Sequence, residues 1–267
     1  MIAQGLLVNL TVLLGAMIIM WLISVRIRDV SFIDAFWGLG MAIMACGAFF
    51  QIAQPGPLAM LLCGLASLWG LRLGLYLIWR WRKEGEDPRY IRIMASAEKK
   101  GWSFASAALV KVWLLQIPLL FLVSSPAHFG ILIAGLQAPG PLALLGGVIA
   151  LFGIGFETVG DLQLASFKAD PVNKGKVLDT GLWRYTRHPN YFGDACAWWG
   201  IFLVSLETGA LAWLTVLGPI FLTFTLTKWS GKPLLEYSLR KNRPGYAEYI
   251  ERTSGFIPWP PKKIQTK

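Results

Sequence analysis

Asp34, Arg72, Glu157 and Asp161 are ionisable side chains inside or at the edge of otherwise apolar runs. A charge at membrane depth is costly, so such groups face a cavity or one another, and each is a candidate for chemistry. Arg72, Tyr76 and Arg80 recur every four residues, with Trp69 one turn before Arg72, and on a helix they form a single stripe. Glu157, Asp161, Leu164 and Lys168 follow a three-to-four spacing and form a second. The plain alternative is that Arg72 pairs with Glu157 or Asp161 and only fixes helix packing. Two stripes of opposite sign opening toward the same loops favour a lined cavity.

A third cluster surrounds Pro189, in Arg187-His188-Pro189-Asn190-Tyr191-Phe192-Gly193-Asp194. Proline disfavours helix at His188 and suits the first turn of a new one. Donors from Arg187, His188, Asn190 and Tyr191 therefore gather at a helix start, a good place for phosphate or carboxylate. Asp194, one turn further on, is placed to accept from a ribose or an amide. The bland reading is an interfacial loop anchored by Trp183, Trp198 and Trp199. No metal site is expected, because His188 is one of two histidines and has no Cys or His nearby. Lys232 to Tyr237 reads as a short amphipathic helix, followed by a basic, aromatic stretch suited to a membrane surface. The loop Glu84 to Tyr90 is acidic among positives, and surface ion pairs there are worth only ~0–1 kcal/mol each.

The elements that must position these groups are apolar helices. Seven runs, at about 5–25, 31–53, 57–79, 104–125, 141–163, 195–206 and 209–228, approach the ~20 residues needed to cross a bilayer. The sixth is short and borrows length from Tyr191–Ala195. Ala127–Leu136, bounded by prolines, reads as a surface or re-entrant piece instead of a span. The loops Met1–Gln4, Gln54–Pro57, Pro126–Gly140 and Glu207–Gly209 hold no Lys or Arg, whereas the alternate set carries the positives. The rule that positives stay inside then puts the N-terminus extracytoplasmic and the C-terminus cytoplasmic. The predicted fold is all-α: a polytopic membrane protein of seven transmembrane helices in one domain, 1–267.

Composition agrees, since 55% of residues are hydrophobic. A net charge of +10 would suggest nucleic acid in a soluble chain. Here most of the charge flanks apolar runs, so lipid headgroups or an anionic cofactor are the expected partners and nucleic acid is not. The first run lacks a basic segment before it and carries Arg26 and Arg28 after it, the pattern of a retained span and not of a signal peptide. Cys46, Cys63 and Cys196 sit in or beside spans as small fillers.

The motif Arg187-His-Pro-Asn-Tyr-Phe-Gly193, with Gly181-Leu-Trp-Arg-Tyr185 before it and Tyr246-Ala-Glu-Tyr249 after it, resembles the C-terminal half of steroid 5α-reductases. Asp34-Ala-Phe-Trp-Gly, Gly85-Glu-Asp-Pro-Arg-Tyr90 and Leu178-Asp-Thr-Gly-Leu-Trp-Arg-Tyr185 are typical of bacterial membrane proteins of unknown function grouped with that family. The C-terminal module is also similar to that of NADPH-using sterol reductases and of isoprenylcysteine carboxyl methyltransferases, which use S-adenosylmethionine.

The resemblance implies NADPH-dependent reduction of the C=C bond of an α,β-unsaturated ketone, a 3-oxo-Δ4-steroid or similar lipid entering from the bilayer. It implies substrate-side helices over about 1–125 and cofactor-binding helices and loops over about 141–267. NADPH contacts fall on Arg72, Tyr76, Arg80, Glu157, Asp161, Leu164, Lys168, Arg187, His188, Asn190, Tyr191, Asp194, Lys232 and Glu236. The catalytic acid falls on Asp34, and the catalytic tyrosine falls on Trp69, whose indole donates a hydrogen bond but transfers no proton. Water, Tyr76 and Tyr90 are the alternative sources of the proton for carbon. The expected location is a bacterial inner membrane with the cofactor site facing the cytoplasm, and no obligate protein partner is evident. No GxGxxG fingerprint follows a strand, so a dinucleotide site here is not of Rossmann type. An S-adenosylmethionine-dependent membrane methyltransferase is the competing reading, and a binding or transport protein a third.

Overall fold

A computed structural model describes residues 2–229 and 231–262, without the side chain of Leu234. Residues 263–267, which complete the C-terminal run of positives, lie outside the described residues. The elements are helices: α1 (Ile2–Ile27), α2 (Ile33–Phe49), α3 (Pro57–Glu84), α4 (Pro88–Glu98), α5 (Phe104–Ala108), α6 (Leu114–Val123), α7 (Ser125–Ile133), α8 (Pro141–Ala169), α9 (Pro189–Leu206), α10 (Leu217–Phe224), α11 (Lys232–Asn242) and α12 (Tyr246–Arg252). A π-turn at Leu109–Trp113 joins α5 to α6, and a second, Thr225–Trp229, extends α10. Among the described residues the one strand-like feature is a lone parallel bridge between Thr186 and Ser254.

Five stretches are long and apolar enough to cross a bilayer: Ile2–Ile27, Pro57–Glu84, Phe104–Val123, Pro141–Ala169 and Ala210–Trp229. This is the build of an integral, multi-pass membrane protein. Two further helices answer to expected spans. α2 is apolar over 17 residues, and α9 runs 18 residues with its start at Pro189. The stretch expected at the surface or as a re-entrant piece forms α7, whose Pro126, Ala127, His128, Gly130 and Ile131 are buried. It is a short internal helix, which excludes the surface alternative.

The chain divides into two compact units, 1–147 with 201–218, and 148–200 with 219–267. In the first, α2 and α3 approach to backbone contact: a Cβ on Gly38 would lie 2.6 Å from Gly70 O and 2.8 Å from Gly74 N. In lipid the hydrophobic effect does not press helices together, so small residues that allow close packing, and polar bridges, do that work. Asn9 is such a bridge, donating to Met44 O at 3.1 Å and accepting from Gln51 at 3.0 Å. Trp113, also buried, donates to Ser24 Oγ. Lys111 sits in the π-turn of an otherwise apolar stretch and its ammonium lies 5.1 Å from the Trp102 ring centre.

In the second unit, α8 and α9 cross at glycines. A Cβ on Gly193 would meet Glu157 N at 2.5 Å and Gly153 O at 2.6 Å, and one on Gly160 would press on Pro189. The segment before α9 is pinned from both sides. Trp183 Nε1 donates to Gly160 O at 3.0 Å, and Tyr249 Oη donates to Trp183 O. Thr186 Oγ1 donates to Phe256 O and Arg187 N to Ser254 O, which fastens the C-terminal tail to the start of α9.

Candidate functional site

Asp34 lies in the first turn of α2 but does not cap it. The turn before α2 is held by Asp29, which accepts from Ser31 N and Oγ at 2.7 Å each and from Trp81 Nε1 at 2.8 Å. The N-cap position falls to Phe32, which offers no side-chain bond. Both Asp34 oxygens are thereby left for α4: Tyr90 Oη donates to Oδ1 at 2.7 Å and Arg89 Nη2 to Oδ2 at 2.7 Å. The hydrogen of the pair resides on Tyr90. Asp34, expected as the catalytic acid, is here an acceptor at both oxygens.

The start of α4 is built to deliver those two donors. Asp87 caps it, accepting from Arg89 N at 2.8 Å, and Pro88 occupies the first turn. The Asp87 carboxylate also grips the Arg89 guanidinium at 2.9 Å. Burial alone would raise the Asp87 carboxyl, but hydrogen bonds from Arg89, then the charges of Arg89 and Arg80, outweigh it and hold it low. Burial disfavours charge on Arg89 too, yet Asp87 and Asp34 raise its pKa well above the usual range. Burial, then the negative charge of Asp34, pushes the Tyr90 phenol well above 10, so it stays protonated. The expected stripe on α3 has Arg72 5.7 Å from the Tyr76 ring centre, while Trp69 is buried in the core of this unit.

In the second unit the crossing of α8 and α9 gathers Glu157, Asp161, Asn190 and Asp194. The three carboxylates are 2%, 4% and 9% exposed, and Asn190 Nδ2 donates to Asp161 Oδ1 at 3.2 Å. Leu164 is half-buried and Lys168 exposed where the stripe runs out toward the end of α8. Such a set accepts hydrogen bonds from hydroxyls and amides, or holds a positive group.

Arg187 and His188, expected as donors to a ligand, are engaged within the protein. Arg187 Nε donates to Glu236 Oε1 at 2.8 Å, and its Nη1 donates to the carbonyls of Ile250 and Thr253. His188 Nε2 lies 2.9 Å from the same Glu236 oxygen. A carboxylate only accepts, so that nitrogen carries the hydrogen. The His188 ring stacks on Tyr191 at 5.1 Å. Burial would raise the Glu236 carboxyl, but the bonds from His188 and Arg187 prevail and bring it down to about 2. Burial lowers the His188 pKa more than Glu236 raises it. Beside this clamp, a Cβ on Gly255 would collide with Lys232 Nζ and lie 3.1 Å from Arg187 Nη2, so two cations converge on bare backbone. The sequence named Lys232 and Glu236. It missed Arg89 as the partner of Asp34, and Gly255, because neither role shows in local spacing.

Comparison with known proteins places these features in context. The chain is 24% identical over 273 residues to a protein of Schizosaccharomyces pombe described as "Uncharacterized protein C594.04c", covering 90% of this chain and 76% of that one. No solved structure matches. A family model matches residues 20–253, nearly the whole of both clusters included, and the chain therefore belongs to the family described as "Protein of unknown function (DUF1295)".

Proposed function

We propose that this protein is a membrane-embedded, NADPH-dependent reductase of the C=C bond of an α,β-unsaturated ketone carried by a lipophilic substrate, with a 3-oxo-Δ4-steroid as the test compound. One observation carries the reading: the Tyr90–Asp34 hydrogen bond beside Arg89. Reduction of an enone needs a donor at the carbonyl oxygen, where charge develops, and a proton for the α-carbon. Tyr90 is a protonated phenol held in one orientation by Asp34, and Arg89 places positive charge beside that carboxylate. In this reading the substrate takes the place of the Asp34 carboxylate as acceptor of the single Tyr90 hydrogen, at the ketone oxygen or the α-carbon. Asp34, still paired with Arg89, orients the phenol before the substrate arrives.

The second unit suits the cofactor. Lys232 and Arg187, converging on Gly255, suit a phosphate, and Asn190, Asp161, Glu157 and Asp194 suit ribose hydroxyls and a carboxamide. When bound, NADPH would supply a hydride to the β-carbon. For topology we infer that α2 and α9 cross as well, giving seven spans with the N-terminus extracytoplasmic and the basic loops in the cytoplasm. The setting that follows is a bacterial inner membrane.

A second reading rests on the same carboxylates. Glu157, Asp161 and Asp194 also suit, as acceptors, the amine and ribose hydroxyls of S-adenosylmethionine. Binding separates the two. Purified protein in nanodiscs should bind NADPH, more tightly than NADH, and convert a Δ4-3-ketosteroid. Binding of S-adenosylmethionine with no response to either nicotinamide would replace the reductase by a methyltransferase.

A further inference from the structure

A groove of about 430 Å³ runs along α8 near its C-terminal end, lined by Val159, Leu162, Ser166 and Phe167 of the helix and by Thr180 and Gly181 of the returning loop. At 100° per residue, Glu157, Asp161, Leu164 and Lys168 share one side of α8, and Val159, Leu162 and Ser166 the opposite one. The groove is therefore separate from the acidic cluster. Its wall changes character along its length. Val159 and Leu162, 44% and 57% exposed, are apolar, whereas Ser166 and Thr180 supply hydroxyls nearer the helix end.

The loop wall is fixed in place. Gln163 Oε1 accepts from Leu182 N at 2.9 Å, and Gly181, at φ +59°, passes so close to the Gln163 amide that a Cβ would strike it. The loop that forms this wall is basic in sequence. Lys174 and Lys176 precede the wall, and the Lys176 carbonyl accepts from Arg243, which draws a third cation to the same loop. Asp179 is answered by Arg252, and Asp170 accepts from Val172 N. α8 is 29 residues long and apolar enough to span a bilayer. Its exposed apolar wall therefore faces acyl chains, and the basic loop lies at the level of headgroups.

We propose that this groove seats one anionic phospholipid. An acyl chain lies against Val159, Leu162 and Phe167, and the phosphate is held by Ser166, Thr180, Lys174 and Lys176. The site is independent of the reaction proposed above. Native mass spectrometry of the purified full chain in mild detergent, titrated with dioleoyl phosphatidylglycerol or dioleoyl phosphatidylcholine, tests it. One phosphatidylglycerol should be retained at a concentration roughly tenfold lower than phosphatidylcholine. Ser166→Trp, at an exposed position, should remove that retention while leaving the melting temperature and NADPH binding unchanged. The double change Lys174→Glu with Lys176→Glu should erase the preference between the two lipids. Equal retention of both by the wild type, or undiminished retention by Ser166→Trp, overturns the proposal. Displacement of the lipid by a Δ4-3-ketosteroid would overturn it too, and make the groove a port for substrate.

Discussion

Tyr90 donates to Asp34 across 2.7 Å, joining α4 to the first turn of α2, and Arg89 closes the same carboxylate from its other side at an equal distance. Asp87 caps α4 and holds Arg89, so one eleven-residue helix sets both donors. The cap, the ion pair and the phenol are one device.

If that device orients the donor, Tyr90→Phe should lower turnover of a Δ4-3-ketosteroid with NADPH by ~10²–10³, with the melting temperature little changed. Asp34→Asn should lose less, because its amide oxygen still accepts from Tyr90. Asp34→Leu should lose both turnover and stability, since Arg89 keeps only Asp87. Full turnover in a well-folded Tyr90→Phe protein would remove Tyr90 from the reaction.

The crossing of α8 and α9 makes a separate prediction. Gly193→Ala would place a methyl 2.5 Å from Glu157 N and 2.6 Å from Gly153 O, all backbone atoms with nowhere to move. Overpacking of this kind costs ~1–3 kcal/mol and spreads the helices apart. Glu157 and Asp161 would then part from Asn190 and Asp194. Nucleotide binding measured by calorimetry should fall further than the melting temperature does. Wild-type affinity in Gly193→Ala would mean the acidic cluster holds no cofactor.

Much of this arrangement could be read from spacing and much could not. The helix start at Pro189, the carboxylate stripe on α8 and the short helix after Lys232 all follow from local rules of proline, period and amphipathicity. The acidic loop before α4 was expected to pair with the other cytoplasmic loops, whereas its Asp87 pairs with Arg89 of the same loop. That Arg89 also reaches Asp34 was hidden, because the two lie 55 residues apart and no local pattern links them. Arg187 was legible only in part: its place beside a helix start follows from Pro189, but its bonds to Glu236 and to the carbonyls of Ile250 and Thr253 come from distant sequence. The π-turns carry no sequence signature, and the nine-residue α7 fell between the lengths expected of spans and of surface loops.

Topology is tested by reporter fusions. Fusions after Gln137 and after Glu207 should report the extracytoplasmic side, and fusions after Lys100 and after Lys174 the cytoplasmic side, because only the latter loops hold Lys and Arg. The distinction rests on α2 and α9 crossing in addition to the five longer stretches. A cytoplasmic report at Gln137 would cancel that count.

The clamp formed by Arg187, His188 and Glu236 sets how the protein meets acid. Glu236 and Arg187 are nearly buried, so Glu236→Ala leaves a guanidinium without its partner and should cost ~3–5 kcal/mol. Both titrating members have folded pKa values below their ordinary ones, His188 below 6.5 and Glu236 at about 2 against 4.5. In each case the unfolded chain takes up a proton first as the pH falls. Stability from the clamp is therefore complete above pH 6.5, declines below that as His188 in the unfolded chain is protonated, and declines again between 4.5 and about 2 through Glu236. Melting temperatures of the purified protein from pH 7.5 to about 2 should fall in that order. His188→Gln retains a side-chain donor toward Glu236 but cannot titrate, so it should flatten the first decline and leave the second. A melting temperature that rises between pH 7 and 5.5, or a His188→Gln profile with the first decline intact, would show that the clamp does not govern acid stability.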